Sequence, residues 1–364
     1  MLVAGQIVLG FLLLVGGGEL LVRGAAALAG AFKISPLVIG LTVVAFGTSA
    51  PELGVSLQAA FTGNPEVAVG NVVGSNIINV LLILGASALV TPLVVSSQLI
   101  RLDVPLMVVA SLCMWAMSAD GCVQRWEGTL MFGALIVYIV YCIRKSRSEH
   151  QDVQDEFAEE YAQSVSGFRG LMIQFGLIIA GLALLGLGSN WLVQGASTIA
   201  TWFGVSKLVI GLTVVAFGTS LPEAVTSVVA SFRGQRDIAV GNVVGSNLFN
   251  ILCVLGLTSA VSPTGVAISP EALAFDIPVM VAVAVMCLPI FLTHGVICRW
   301  EGGVFLMYYF LYTTYVVLHA TKANFGPGFG KVIVFVVIPL TVFVLAVSFY
   351  QWMVAKPKPT DTDP

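Results

Sequence analysis

Residues 40–85 read GLTVVAFGTSAPELGVSLQAAFTGNPEVAVGNVVGSNIINVLLILG, and residues 211–256 read GLTVVAFGTSLPEAVTSVVASFRGQRDIAVGNVVGSNLFNILCVLG. The two stretches align without a gap and share 29 of 46 positions. Each buries one glutamate, Glu52 or Glu223, within an otherwise apolar run. A carboxylate is costly to bury there, which makes it a candidate functional residue.

The rest of the chain explains where those glutamates sit. Of 364 residues, 58% are hydrophobic and only 10% are charged, against about 25% charged in a soluble domain. Mean hydropathy is +0.99. The expected class is an all-α polytopic membrane protein. The net charge of −3 says little, because six of the 19 acidic residues lie in one loop. Nothing in the charge pattern suggests nucleic acid. Cys113, Cys122, Cys142, Cys253, Cys287 and Cys298 lie in or beside apolar segments without a C-x-x-C. They read as small buried hydrophobes rather than disulfides or metal ligands. The first 31 residues lack the basic start and short apolar core of a cleavable signal, so they are expected to stay as a helix.

A membrane-crossing helix needs about 20 apolar residues. Eleven candidate spans meet that test: 3–31, 36–61, 66–91, 101–118, 124–143, 169–202, 207–232, 237–261, 273–293, 299–320 and 331–355. The repeat is wider than the two stretches above. Gly10, Gly24 and Gly40 recur as Gly181, Gly195 and Gly211. Asp103-Val104-Pro105 recurs as Asp276-Ile277-Pro278, and Arg125-Trp126-Glu127-Gly128 as Arg299-Trp300-Glu301-Gly302. The unit is therefore five helices, expected at 1–143 and 169–320. Five is odd, so the second unit enters the membrane from the opposite side. Two inverted repeats of this kind place a shared site near the midplane. The span at 331–355 has no counterpart, and a polar tail follows at 356–364.

Orientation follows the basic residues. With the N-terminus outside, eleven fall inside: Lys33, Arg101, Arg144, Lys145, Arg147, Arg169, Arg233, Arg236, Arg299, Lys356 and Lys358. Arg125, Lys207, Lys322 and Lys331 fall outside. A plasma (inner) membrane location with a cytoplasmic C-terminus is expected. The charged loop at 144–168 carries Glu149, Asp152, Asp155, Glu156, Glu159 and Glu160. It has no D-x-D-x-D-G pattern and reads as a solvated linker.

Thr48, Ser49 and Glu52 are three or four residues apart, so the hydroxyls share a helix face with the carboxylate. Pro51 cannot continue the hydrogen-bond ladder and is expected to free carbonyls, such as that of Ala45, as oxygen ligands. Asn71, Ser75 and Asn79 follow at four-residue spacing, flanked by Gly70 and Gly74. The second copy matches with Ala216, Thr219, Ser220, Glu223, Asn242, Ser246 and Asn250. For Asn71 and Asn242 the expected role is helix–helix hydrogen bonding. Facing each other, the copies would offer an all-oxygen set. Such a set suits hard cations: calcium takes 6–8 oxygens in a flexible cage, whereas zinc and copper want nitrogen or sulfur. Two carboxylates would neutralise one divalent ion, or two or more monovalent ions.

These residues carry a resemblance. G-T-S-x-P-E and G-N-x-x-G-S-N, each present twice, resemble the two alpha-repeat signatures of the sodium/calcium exchanger family, prokaryotic type. The resemblance covers roughly residues 1–320. It implies ten helices in two inverted halves and calcium/sodium antiport by alternating access, with calcium/proton antiport as the alternative. It also implies an ion cluster of Ala45, Thr48, Ser49, Glu52, Ser75 and Asn79 with Ala216, Thr219, Ser220, Glu223, Ser246 and Asn250. The expected partners are Ca2+ and Na+ (or H+) and the lipid bilayer, with no cofactor. Some members carry aspartate where this chain has Asn250, which argues against potassium co-transport.

Other polar residues have plainer expectations. Glu19 and Arg23 are spaced to pair along one helix. Asp103 and Asp276 precede a proline by two and read as N-caps. Arg125-Trp126 and Arg299-Trp300 read as interface anchors. His150, His294 and His319 sit near span ends. No H-E-x-x-H or D-D-x-x-D appears, so an intramembrane enzyme is not expected.

Overall fold

The computed structural model describes residues 2–32, 34–148, 167–205, 210, 213–214, 216–292, 295–321, 326–343, 346 and 350. Most of the acidic loop falls outside these, as do Lys33, Lys207, Lys322, Lys356, Lys358, His150, His294 and the polar tail. Among the described residues eight helices are long and apolar enough to cross a bilayer. Span 1 is Leu2–Phe32, span 3 Pro65–Val90, span 4 Leu99–Asp120 and span 5 Arg125–Ser146. Their counterparts are span 6 (Gly167–Trp202), span 8 (Arg236–Val261), span 9 (Ala272–Leu292) and span 10 (Arg299–Ala320).

Span 2 is a bent pair, Pro36–Thr48 and Ala50–Phe61, with a 43° angle at Ser49. Its start is capped by Ser35, whose hydroxyl accepts from Val38 N at 3.3 Å. The bend comes from Pro51, which lacks the N–H the ladder needs. Of span 7 the described part is Ala216–Thr219 and Leu221–Phe232, with Pro222 in the same place. The unpaired helix begins at Gly326–Val332 and passes through a π turn at Ile333–Val337. Tyr308 of span 10 donates to its Thr341 Oγ1 at 2.7 Å.

A pseudo-two-fold relates the halves, and the packing shows it residue by residue. Spans 1 and 6 run along each other. A Cβ on Gly17 would lie 2.8 Å from Gly181 O, and one on Gly188 would lie 2.7 Å from Gly10 O. Glycine is required at these crossings because the backbones touch. Short antiparallel pairings tie the halves at the rim: Leu93–Val94 with Val296–Ile297, and Cys122–Val123 with Val266–Ala267. Each strand thus pairs with the other repeat. Spans 3 and 8 form the centre, and span 8 is buried throughout its apolar window.

Two polar expectations change. Glu19 pairs with Arg233, not Arg23: Arg233 Nη2 lies 2.6 Å from Glu19 Oε1 and its Nε donates to Oε2 at 2.9 Å. Span 1 packs against Leu221–Phe232, which brings Arg233 to it, while Arg23 is exposed. Asp103 makes no side-chain cap. It accepts from Tyr138 OH at 3.0 Å and Gln98 Nε2 at 3.3 Å, and Asp276 accepts from Tyr312 OH at 3.0 Å. A buried carboxylate takes the strongest donors within reach, here tyrosines of the neighbouring spans. The rim position of Arg125 and Arg299 has a contact: they donate to Ala260 O and Val90 O of the opposite repeat.

Candidate functional site

The bend in span 2 places Glu52 in the first turn of Ala50–Phe61, and Glu223 sits likewise in the first turn of Leu221–Phe232. The partial positive charge of a helix N-terminus favours a carboxylate there. Ser49 and Ser220 occupy the N-cap positions, yet neither side chain caps its own helix. Each reaches into the other repeat instead. Ser49 Oγ donates to Glu223 Oε1 at 3.2 Å, and Ser220 Oγ lies 3.5 Å from Glu52 Oε1. Ser220 Oγ also lies 3.1 Å from Ser75 Oγ, and its single proton serves one of these two acceptors at a time.

A second exchange surrounds the first. Thr48 Oγ1 donates to Asn242 Oδ1 at 3.2 Å, and Thr219 Oγ1 donates to Asn71 Oδ1 at 3.4 Å. The amide nitrogens of Asn71 and Asn242 hold the glutamate helices. Asn71 Nδ2 donates to Glu52 O and Ser56 Oγ, and Asn242 Nδ2 to Glu223 O and Ser227 Oγ. Asn71 and Asn242 are thus used in helix–helix bonds.

Asn79 and Asn250 open π turns, Asn79–Leu84 and Asn250–Leu255. Such turns inside α-helices are frequent at functional sites. Glu52, Glu223, Thr48, Ser49, Ser75, Asn79, Ser220, Ser246 and Asn250 are all buried. Five oxygens among them have no hydrogen-bond partner: Glu52 Oε2, Glu223 Oε2, Asn79 Oδ1, Asn250 Oδ1 and Ser246 Oγ. A buried polar atom left unpaired costs about 1–3 kcal/mol. Four of the five form two symmetry-matched pairs, and all five belong to the one cluster that holds both carboxylates. The two carboxylates also repel each other, and a cation between them would relieve both problems. Among the described residues no three His, Cys, Asp or Glu come together, so the remaining oxygens are neutral.

The alanine carbonyls differ between the copies. Ala45 O accepts from Ser49 N at 3.0 Å and lies 3.4 Å from Thr48 Oγ1, so it is not loose. In the second copy Ser220 N closes on Phe217 O rather than on Ala216. Pro222 leaves Gly218 O without an amide, and Ser189 Oγ fills that place. The matching residue in span 1 is Gly18, which has no hydroxyl.

Exposure also differs. Asn242, Thr48, Gly241 and Gly245 are buried, whereas Asn71, Thr219 and Gly74 are half-buried and Gly70 is exposed. The cluster is therefore closer to the surface on the face of span 3 that bears Gly70.

Residues not singled out from the sequence complete the cluster. Asn76 and Asn247 lie in the G-S-N of each signature. Asn79 Nδ2 donates to Asn247 Oδ1 and Asn250 Nδ2 to Asn76 Oδ1, both at 3.0 Å. Their duplication within the signature was the available signal.

An inverted-repeat membrane fold with a polar cluster at the junction of its halves is the architecture of a secondary transporter. The chain belongs to the sodium/calcium exchanger family: the model of that family, described as sodium/calcium exchanger protein, matches residues 2–144 and 173–318. It is 41% identical over 311 residues to the putative antiporter CaxA of Alkalimonas amylolytica, covering 84% of this chain and 96% of that protein. It is 32% identical to the sodium/calcium exchanger MaX1 of Methanosarcina acetivorans, covering 83% and 95%. Solved structures of the sodium-calcium exchanger NCX_Mj superpose with a TM-score of 0.73 at 29% identity, covering 88% of this chain and 98% of that one.

Proposed function

We propose that the protein exchanges calcium for sodium by alternating access, with both ions using the one cluster between the repeats. The ligands in this reading are the side chains of Thr48, Ser49, Glu52, Ser75 and Asn79 with Thr219, Ser220, Glu223, Ser246 and Asn250, and the carbonyls at Ala216 and at Ala45, the latter on the lone pair that Ser49 N does not take. The observation that carries it is the reciprocal serine–glutamate contact, which joins the two halves and leaves one oxygen of each carboxylate without a partner.

Exchange follows from electrostatics. Two carboxylates without a cation in a water-poor site repel and are poorly solvated. Closing the site over them is unfavourable, so the empty carrier crosses slowly. Calcium neutralises both, and two or more sodium ions do the same, so loaded carriers cross. The membrane orientation in this reading puts the N-terminus outside and the C-terminus in the cytoplasm, consistent with the excess of Lys and Arg on that side. The more exposed face at Gly70 then looks outward.

The test is calcium flux into proteoliposomes with sodium, potassium and pH gradients imposed one at a time. Flux that follows the sodium gradient supports the reading. Flux that ignores sodium and follows pH would assign the same site to calcium/proton exchange.

A further inference from the structure

Asn79 and Asn250 can serve a cation only with the oxygen end of the carboxamide, since the other end presents two N–H donors. The two ends are nearly equal in size, so shape does not choose between them. Hydrogen bonding does, through a relay that crosses between repeats in both directions. Asn79 Nδ2 donates to Asn247 Oδ1 at 3.0 Å, and Asn247 Nδ2 donates to Met107 Sδ at 3.4 Å. In the mirror direction Asn250 Nδ2 donates to Asn76 Oδ1 at 3.0 Å, and Asn76 Nδ2 reaches Met280 Sδ at 3.6 Å. All six side chains are buried.

A thioether sulfur accepts a hydrogen bond and has no proton to give. The end of Asn247 that meets Met107 is therefore its NH2. Its oxygen then faces Asn79 and takes the Asn79 NH2. The Asn79 oxygen is left over, and it is one of the unpartnered atoms of the cluster. The same sequence of choices from Met280 through Asn76 leaves the Asn250 oxygen unpartnered.

We infer that Met107 and Met280 are positioning residues that set the direction of two amide relays and so hold the Asn79 and Asn250 oxygens toward the transported ion. This rests on the ion-site reading above. Neither methionine lies in the duplicated signatures; they come from spans 4 and 9. The relays are not equal. Asn76 Nδ2 also donates to the Asn247 backbone carbonyl at 3.3 Å, so its direction is fixed twice. Asn247 has Met107 as its amide acceptor, and Met107 should matter more than Met280.

Met107→Leu keeps a buried apolar side chain of similar volume and removes the acceptor. The reconstituted protein is assayed for half-saturating calcium, maximal flux and thermal unfolding. Met107→Leu should raise half-saturating calcium by about 3–10-fold, with maximal flux within about two-fold, because one directing hydrogen bond is lost. Met280→Leu should raise it less. Asn79→Asp supplies an oxygen at either end, so in that background Met107→Leu should shift half-saturation by less than about two-fold. An equal effect of Met107→Leu in both backgrounds would mark a packing role and overturn the inference. Unchanged half-saturation in Met107→Leu, beside a clear rise in Asn79→Ala, would overturn it and leave the site reading standing. Unchanged half-saturation in Asn79→Ala and Asn250→Ala as well would overturn both.

Discussion

Ser49 Oγ donates to Glu223 Oε1 at 3.2 Å, so the cap residue of one repeat binds the carboxylate of the other. The bond withdraws Ser49 from the ordinary work of an N-cap, satisfying a backbone N–H of its own helix. Helix ending is given up for site geometry, in both copies. Ser49→Ala removes a hydrogen bond to a charged acceptor, worth about 1.5–3 kcal/mol. Calcium binding, measured by titration calorimetry on the purified protein, should weaken by about ten-fold or more, while the helix content by circular dichroism stays the same.

Asn250→Asp replaces an amide that donates to Asn76 Oδ1 with a group that can only accept. The new carboxylate also joins Glu52 and Glu223 in one buried cluster. Like charges crowded into one buried cluster favour proton uptake, so lowering the pH should inhibit calcium flux more steeply than in the wild type. Half-saturating calcium should move by about three-fold or more. Flux–pH profiles of the two proteins, recorded side by side, check this; superimposable profiles would contradict it.

Much of this was legible in the chain itself. Duplication of the span around Glu52 gives the inverted halves, because an odd number of helices per unit fixes the inversion. The T-S-x-P-E spacing marks the hydroxyls and the carboxylate as one set, but the 43° bend at Ser49 breaks the helix face and Ser49 Oγ bonds Glu223 of the other repeat instead of Glu52. What was not legible depends on contacts between distant elements. Glu19 and Arg23 satisfy the local pairing rule, but Arg233 is 214 residues away and arrives only because span 1 lies on Leu221–Phe232. Asp103 before a proline has the pattern of a cap; its tyrosine partner is on another span. The Ala45 carbonyl was expected to be loose because Pro51 follows, yet the missing amide is felt at Gly47, four residues before the proline, and Ala45 keeps its bond from Ser49.

The Glu19–Arg233 pair has no equivalent in the other half, where the matching residues are Asn190 and Thr62. Its side chains are 37% and 62% exposed, and pairs of that kind contribute at most about 1 kcal/mol. Glu19→Gln and Arg233→Gln should therefore each lower the unfolding temperature only slightly, and the double variant no more than either alone. Thermal unfolding in detergent reads this directly. An Arg23→Gln variant that behaved like Glu19→Gln would point to the local pair instead.

Gly70 is exposed and a Cβ there meets nothing within 4 Å, so Gly70→Cys should fold normally. With Cys113, Cys122 and Cys298 replaced by serine, a membrane-impermeant thiol reagent should label it from the side that carries the N-terminus. Labelling only from the side that carries the 144–168 loop would reverse the proposed orientation of the open face.

The central claim is that Glu52 and Glu223 act together as one ion site. It is tested most directly by sodium-driven calcium flux in proteoliposomes carrying the wild type, Glu52→Gln or Glu223→Gln. Each glutamine variant should insert at normal levels and lose calcium flux entirely, because one remaining carboxylate cannot neutralise a divalent ion. Wild-type flux in either variant would contradict the shared site.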